Sequence, residues 1–159
     1  MLQNKLILKR KRFLTSPNAD IRRAVLNWQT RRDHSKDELF RKCLAKGFTK
    51  AEIQAFFADA KQASLFNDSR FAENFIHFRR AKGYGPLRIQ AELLARGIPD
   101  EMIAEMLDIA DNAWFQEVQR IWQKHFKGKQ PEDFKAKAKQ IRFLHYRGFT
   151  QEQIEKIFE

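Results

Sequence analysis

Arg120, Lys124 and Lys127 stand at i, i+4 and i+7, and Lys135, Lys139 and Arg142 repeat those offsets, so each trio lines one side of a helix. Cations in a row suit one chemistry, the neutralisation of successive phosphates. The same pattern is also what an ordinary solvated helix face looks like, and a trio alone does not separate the two readings. The balance of the whole chain moves the reading towards polyanions: 31 Lys and Arg against 20 Asp and Glu, a formal net charge of +11. The charge is also zoned. Gly97 to Gln119 carries Asp100, Glu101, Glu105, Asp108, Asp111 and Glu117 with no base, whereas Arg120 to Arg147 carries nine bases against Glu132 and Asp133.

A second basic patch surrounds Lys82-Gly83-Tyr84-Gly85-Pro86, where an aromatic sits between two glycines with Arg79, Arg80 and Arg88 nearby. Two readings stand: a partner-contact patch, or a plug in which Tyr84 fills the space between helices and Gly83 closes one of them. Arg31 and Arg32 complete the candidate contacts. The run Lys9, Arg10, Lys11 and Arg12 makes residues 1–15 either a basic arm or a solubilising tail.

Catalysis has little support in the residue pattern. His34, His77, His125 and His145 are scattered, and the single Cys43 falls on the apolar side of a helix, where it reads as a small core residue. No His-x-x-x-His, no paired cysteines and no acid cluster has metal-ligand spacing, and the KGYG loop lacks the Lys-Ser/Thr pair of a phosphate-binding loop. Neither an enzyme nor a cofactor is expected. The apolar run near the start is too short for a signal peptide or membrane span, and one cysteine gives no disulfide framework, so a reducing cytoplasm is the expected location.

The elements that must carry these side chains repeat. LAKGFTKAEI, LARGIPDEMI and HYRGFTQEQI end at Ile53, Ile103 and Ile154, spacing Gly47, Gly97 and Gly148 at a period of about 50 residues, the range of stacked repeat architectures. Each glycine follows a base and should end a helix. Thr49 with Glu52, and Thr150 with Gln153, form capping boxes that begin the next one, and Pro99 presets φ at the equivalent place. Upstream helices open at Ser35, where Glu38 completes another capping box, at Pro86 and at Pro131. Farther upstream, three amphipathic stripes are read: Ile21, Ala24, Val25 and Trp28; Phe71, Phe75 and Phe78; and Trp114, Val118, Ile121, Trp122 and His125. Only Leu6 to Leu8 hints at a strand. The expectation is an all-α chain of three tandem three-helix repeats, over 16–62, 63–111 and 112–159, stacked into an elongated curved rod. Flexible tethers are expected only in the first dozen residues and around Lys127 to Gln130.

With these residues in place, the stretch NDSRFAENFIHFRRAKGYGPLRIQAELLARGI, with RRDHSKDELFRKCLAKGF before it and IRFLHYRGFTQEQI after it, resembles the bacterial RecX family. The resemblance runs from Ala24 onward. Its most specific pieces are Asp68 to Ala72, Lys82 to Ile89 with Glu92, Leu93, Arg96 and Gly97, and the His34 to Leu39 cap. One departure is Ser64-Leu65-Phe66-Asn67-Asp68, where the family usually has Gly-Tyr-Leu-Asp-Asp. The resemblance implies a non-enzymatic modulator that binds the RecA filament, lowers its ATPase and strand exchange and limits the SOS response; a monomer is expected. It also implies binding to single- and double-stranded DNA without strong sequence preference, along a rod able to follow a helical groove. Two other classes fit a small basic helical chain: a helix-turn-helix transcription regulator, which would prefer one duplex site by about three or more orders of magnitude, and a repeat scaffold that binds only protein.

Overall fold

One way of ending a helix recurs along this chain. In the computed structural model, which describes residues 16–159, the N–H of Gly47 donates to Leu44 O at 2.9 Å and that of Phe48 to Cys43 O at 3.2 Å. This is the Schellman closure, which satisfies carbonyls that the helix leaves without partners. It recurs as Gly97 to Leu94 with Ile98 to Leu93, and as Gly148 to His145 with Phe149 to Leu144. At Gly47 and Gly148 the backbone is left-handed, with φ of 102° and 91°. The apolar residue after each glycine turns inward, and Phe48, Ile98 and Phe149 are all buried. That is why Gly-Phe or Gly-Ile recurs at the repeat period.

Nine α-helices result among the described residues: α1 (Pro17–Gln29), α2 (Lys36–Lys46), α3 (Lys50–Ala58), α4 (Asp68–Ala81), α5 (Pro86–Leu94), α6 (Asp100–Met106), α7 (Ala113–Phe126), α8 (Phe134–Arg147) and α9 (Gln151–Glu155). They fall into three triplets, and no strand occurs among the described residues. The basic arm and the apolar run at Leu6 to Leu8 lie outside those residues. All three expected capping boxes form, at Ser35–Glu38, Thr49–Glu52 and Thr150–Gln153.

The chain divides into two compact units, the first ending at Phe71 and the second spanning Ala72 to Glu159. In the first, α1, α2 and α3 pack together around Ile21, Val25, Leu39, Cys43, Phe48, Ile53 and Phe56. A short 3-10 helix, Ala60–Leu65, closes this core. It is pinned by Arg22 Nη1 to Gln62 Oε1 at 2.6 Å and by Gln29 Nε2 to Leu65 O at 2.9 Å. In the second unit α5 packs on α6, and α7 on α8 and α9, with Ile89, Leu93, Ile103, Trp114, Val118 and Leu144 buried. At roughly 1.5–3 kcal/mol per large apolar side chain, these burials supply the main drive for folding.

Four local expectations are corrected. The helix expected to open at Pro131 opens at Phe134, because Asp133 offers what Pro131 lacks, a carboxylate that accepts from Ala136 N at 2.6 Å. Phe78 lies off the buried stripe of α4, 55% exposed, with Lys82 Nζ 5.3 Å from its ring; Ala72, one position beyond Phe71, is buried in its place. His125 is exposed rather than part of the α7 core, its ring stacked on Phe143 at 3.9 Å. Finally, 127–130 forms a hydrogen-bonded turn. Lys127 takes the left-handed conformation, Lys129 N donates to Phe126 O at 3.0 Å, and the buried Gln140 donates to Lys129 O at 3.1 Å. The same Gln140 accepts from Trp122 Nε1 at 2.7 Å, fastening the turn to the α7 core.

Candidate functional site

Tyr84 ends α4 in the manner of α2, α5 and α8, with one change of chemistry. Gly83 N donates to Arg80 O at 2.8 Å and Tyr84 N to Arg79 O at 3.1 Å, so Tyr84 occupies the position held by Phe48, Ile98 and Phe149. Those residues are buried apolar side chains; Tyr84 meets Arg79, whose guanidinium carbon lies 3.8 Å from the ring centroid. Arg88 from α5 lies 4.5 Å away and Arg147 from α8 lies 5.2 Å away. Three guanidinium groups thus gather on one half-buried ring. Glu92 balances part of this charge, pairing with Arg79 and, at 3.0 Å, with Arg88 Nε.

Backbone geometry makes the same place a joint. Gly85 N donates to Arg147 O at 2.8 Å and Leu87 N to Gly148 O at 3.0 Å. Arg88 Nη1 reaches Tyr146 O at 3.0 Å, and Arg147 Nη1 reaches Lys82 O at 3.2 Å. A Cβ on Gly85 would sit 2.4 Å from Gly148 O, and one on Gly148 would sit 2.3 Å from Arg88 Cβ. The loop and the end of α8 are therefore in main-chain contact, and only hydrogen fits between them. Of the two readings of KGYG, the plug describes this geometry. Tyr84→Ala is expected to destabilise the chain by about 2 kcal/mol or more, whereas Tyr84→Phe keeps the ring and most of the stability; urea denaturation followed by circular dichroism measures both.

Burial presses the Glu92 carboxyl up, while hydrogen bonds and charge from Arg79 and Arg88 press it down, and the net lies below the ordinary value of 4.5. A carboxylate with a lowered folded pKa stabilises the fold above its unfolded pKa, and that contribution is lost as pH falls through the folded value. Glu92→Gln is expected to lower stability at neutral pH and to flatten the loss seen below about pH 4.5. Denaturation midpoints at pH 7, 5 and 3 test it. An acid limb as steep as that of the wild type would mean that other carboxylates carry the acid sensitivity.

The other candidates separate by their partners. Arg80 pairs with Glu117 and covers the Trp114 ring at 4.6 Å, and Arg120 holds Glu117 at 2.7 Å, so both are engaged within the fold. Lys82, Lys124 and Lys127 are exposed. Lys135, Lys139 and Arg142 line one shallow groove on α8 and have no acidic partner among the described residues. Arg31 and Arg32 belong to the first unit. Arg31 is exposed, and Arg32 pairs with Glu38 at 3.1 Å beside a pocket walled by Trp28, His34 and Lys42. His34 is buried there, its pKa lowered by burial and by Arg32. Cys43 is fully buried, and burial pushes its thiol up to about 11, which leaves it protonated and unreactive at neutral pH. No group of three or more His, Cys, Asp or Glu able to hold a metal occurs among the described residues. Among them, too, no helix is long and apolar enough to cross a membrane.

Arg147 and Glu92, which complete the cluster at Tyr84, were absent from the candidates read from sequence. Arg147 had been visible only as the base ahead of a closing glycine. Glu92 stood four residues after Arg88, a spacing that announces an ion pair on one helix and nothing of the ring beyond it.

Residues 67–107 match the second three-helix domain of RecX and residues 115–158 the third. The regulatory protein RecX of Pseudomonas putida KT2440 is 34% identical over 137 residues, which cover 86% of this chain and 88% of that protein. The chain belongs to the RecX family. The RecX of Legionella pneumophila strain Corby is 36% identical over 136 residues, covering 86% of this chain and 91% of its own. The fold agrees as well. A crystal structure of RecX from Lactobacillus salivarius superposes with a TM-score of 0.73 at 17% identity, over 89% of this chain and 94% of that one. A second RecX crystal structure gives 0.76, also at 17% identity, over 89% and 72%. In RecX terms, α4 to α6 make the second domain and α7 to α9 the third, and the Tyr84 joint fastens one to the other.

Proposed function

We propose that this chain is a negative modulator of RecA recombinase, a protein without catalytic activity that binds the RecA–DNA filament and lowers its ATPase, strand-exchange and SOS co-protease activities. The observation that carries the reading is membership of the RecX family over most of the chain's length. The physical support is a net charge of +11 with exposed bases on α7 and α8 that are free of acidic partners among the described residues. Such bases attract phosphates without reading base edges, so DNA contact independent of sequence is expected.

The test is the steady-state ATPase of RecA on single-stranded DNA, titrated with this protein at constant salt and with RecA matched to the same source. Inhibition is the expected result. Saturation well below one molecule per RecA monomer indicates action at filament ends; saturation near equal amounts indicates occupancy along the groove. A folded protein that leaves the ATPase untouched would remove the proposal.

A further inference from the structure

Two aromatic rings on α8 are turned to solvent: Phe134, 88% exposed, and Tyr146, 73% exposed. They are the most exposed large hydrophobic side chains among the described residues, and core packing does not account for either. Tyr146 continues the basic stripe, standing at i+11 from Lys135 after Lys139 at i+4 and Arg142 at i+7, so a ring completes a line of three cations. Arg88 lies 5.0 Å from its centroid. Phe134 begins the neighbouring face, where with Ala138, Ile141 and His145 it lines a shallow groove of about 480 Å³. Arg142 borders both that groove and the basic one, which makes them a single surface. Along the helix axis the two rings are about 18 Å apart.

We infer that these two adjoining faces of α8 form a stacking platform for single-stranded nucleic acid, with Lys135, Lys139 and Arg142 on the phosphates and Phe134 and Tyr146 against unpaired bases. Charge complementarity selects a polyanion. The rings select single strands, because an exposed flat ring has a partner in an unstacked base and none along the phosphate rails of a duplex. A protein partner is the competing occupant. The inference deepens the proposed function by committing the third repeat to the unpaired strand, and it rests on DNA being bound at all.

The experiment measures the affinity of purified full-length protein for a thymidine oligonucleotide, for an abasic strand of equal length and for a duplex, by fluorescence anisotropy at several salt concentrations. In wild type the abasic strand, which keeps the phosphates and lacks the rings, should bind at least about tenfold more weakly than the thymidine strand. In the Phe134→Ala/Tyr146→Ala double variant that difference should vanish, with duplex affinity and salt slope unchanged. Phe134→Trp with Tyr146→Phe should restore it. Both rings are exposed, so circular dichroism should be unaltered by either pair. Equal binding of the abasic and thymidine strands by wild type would overturn the platform, as would a double variant that loses duplex and single-strand affinity alike. RecA is absent from these assays. A lost ATPase effect with the strand preference intact would therefore remove the filament reading alone.

Discussion

Gly148→Ala is expected to cost about 3 kcal/mol or more of folding stability, roughly twice the cost of the same change at Gly47. Both residues close helices with positive φ, so both substitutions place a methyl group in the left-handed region at about 1–2 kcal/mol. Their surroundings differ. The new Cβ at Gly47 meets nothing within 4 Å, whereas at Gly148 it would lie 2.3 Å from Arg88 Cβ and 2.6 Å from Arg88 N. An approach of that kind cannot be relieved by turning a flexible side chain, since the obstacle includes the backbone of α5. The end of α8 must move off, taking with it the bonds from Gly85 and Leu87. Urea denaturation of the two variants beside wild type measures the difference, and equal losses would mean that the joint opens at little cost.

Replacing Lys135, Lys139 and Arg142 together by alanine is the change expected to alter DNA binding most. If all three touch phosphates, the slope of log affinity against log salt should fall by about 2 to 3 units, and affinity at low salt should drop with it. The fold should tolerate the change, because all three side chains are exposed and without acidic partners among the described residues. Arg88→Ala makes the contrast. Arg88 is engaged with Glu92, Tyr84 and the Tyr146 carbonyl, so its loss should appear in stability before it appears in the salt slope. An unchanged slope in the triple variant would reduce the stripe to a solvated face.

Local chemistry was well marked in the sequence. A helix that ends in a base and a glycine, followed by a threonine with Glu or Gln three residues on, announces its own boundaries, and each such boundary is present in the structure. Errors came where two local signals competed. Pro131 and Asp133 both start helices, and the carboxylate prevailed because it supplies an acceptor where proline supplies only a preset angle. Core spacing outlasts the core near the ends of α4 and α7, where Phe78 and His125 keep the period and lie exposed. The short helix at Ala60–Leu65 is not legible locally, since bonds from Arg22 and Gln29, 40 and 36 residues earlier, hold it. The same holds for the candidate site. Spacing along α8 showed Lys135, Lys139 and Arg142 on one side, and Arg79 and Arg88 stood beside Tyr84 in the sequence, but nothing local brings Arg147 to the same ring, because that meeting is made by the packing that joins Arg147 to Lys82, 65 residues earlier.

The joint also has a consequence in time. The chain leaves the ribosome in order, and Lys82 precedes its partner Arg147 by 65 residues. At roughly 5–20 residues per second, the amides of Gly85 and Leu87 wait several seconds for the carbonyls they will meet. Until then the second repeat has a complete set of helices and an open end. The third repeat is its lid as well as its successor, and the nascent protein remains exposed at that seam until α8 has emerged.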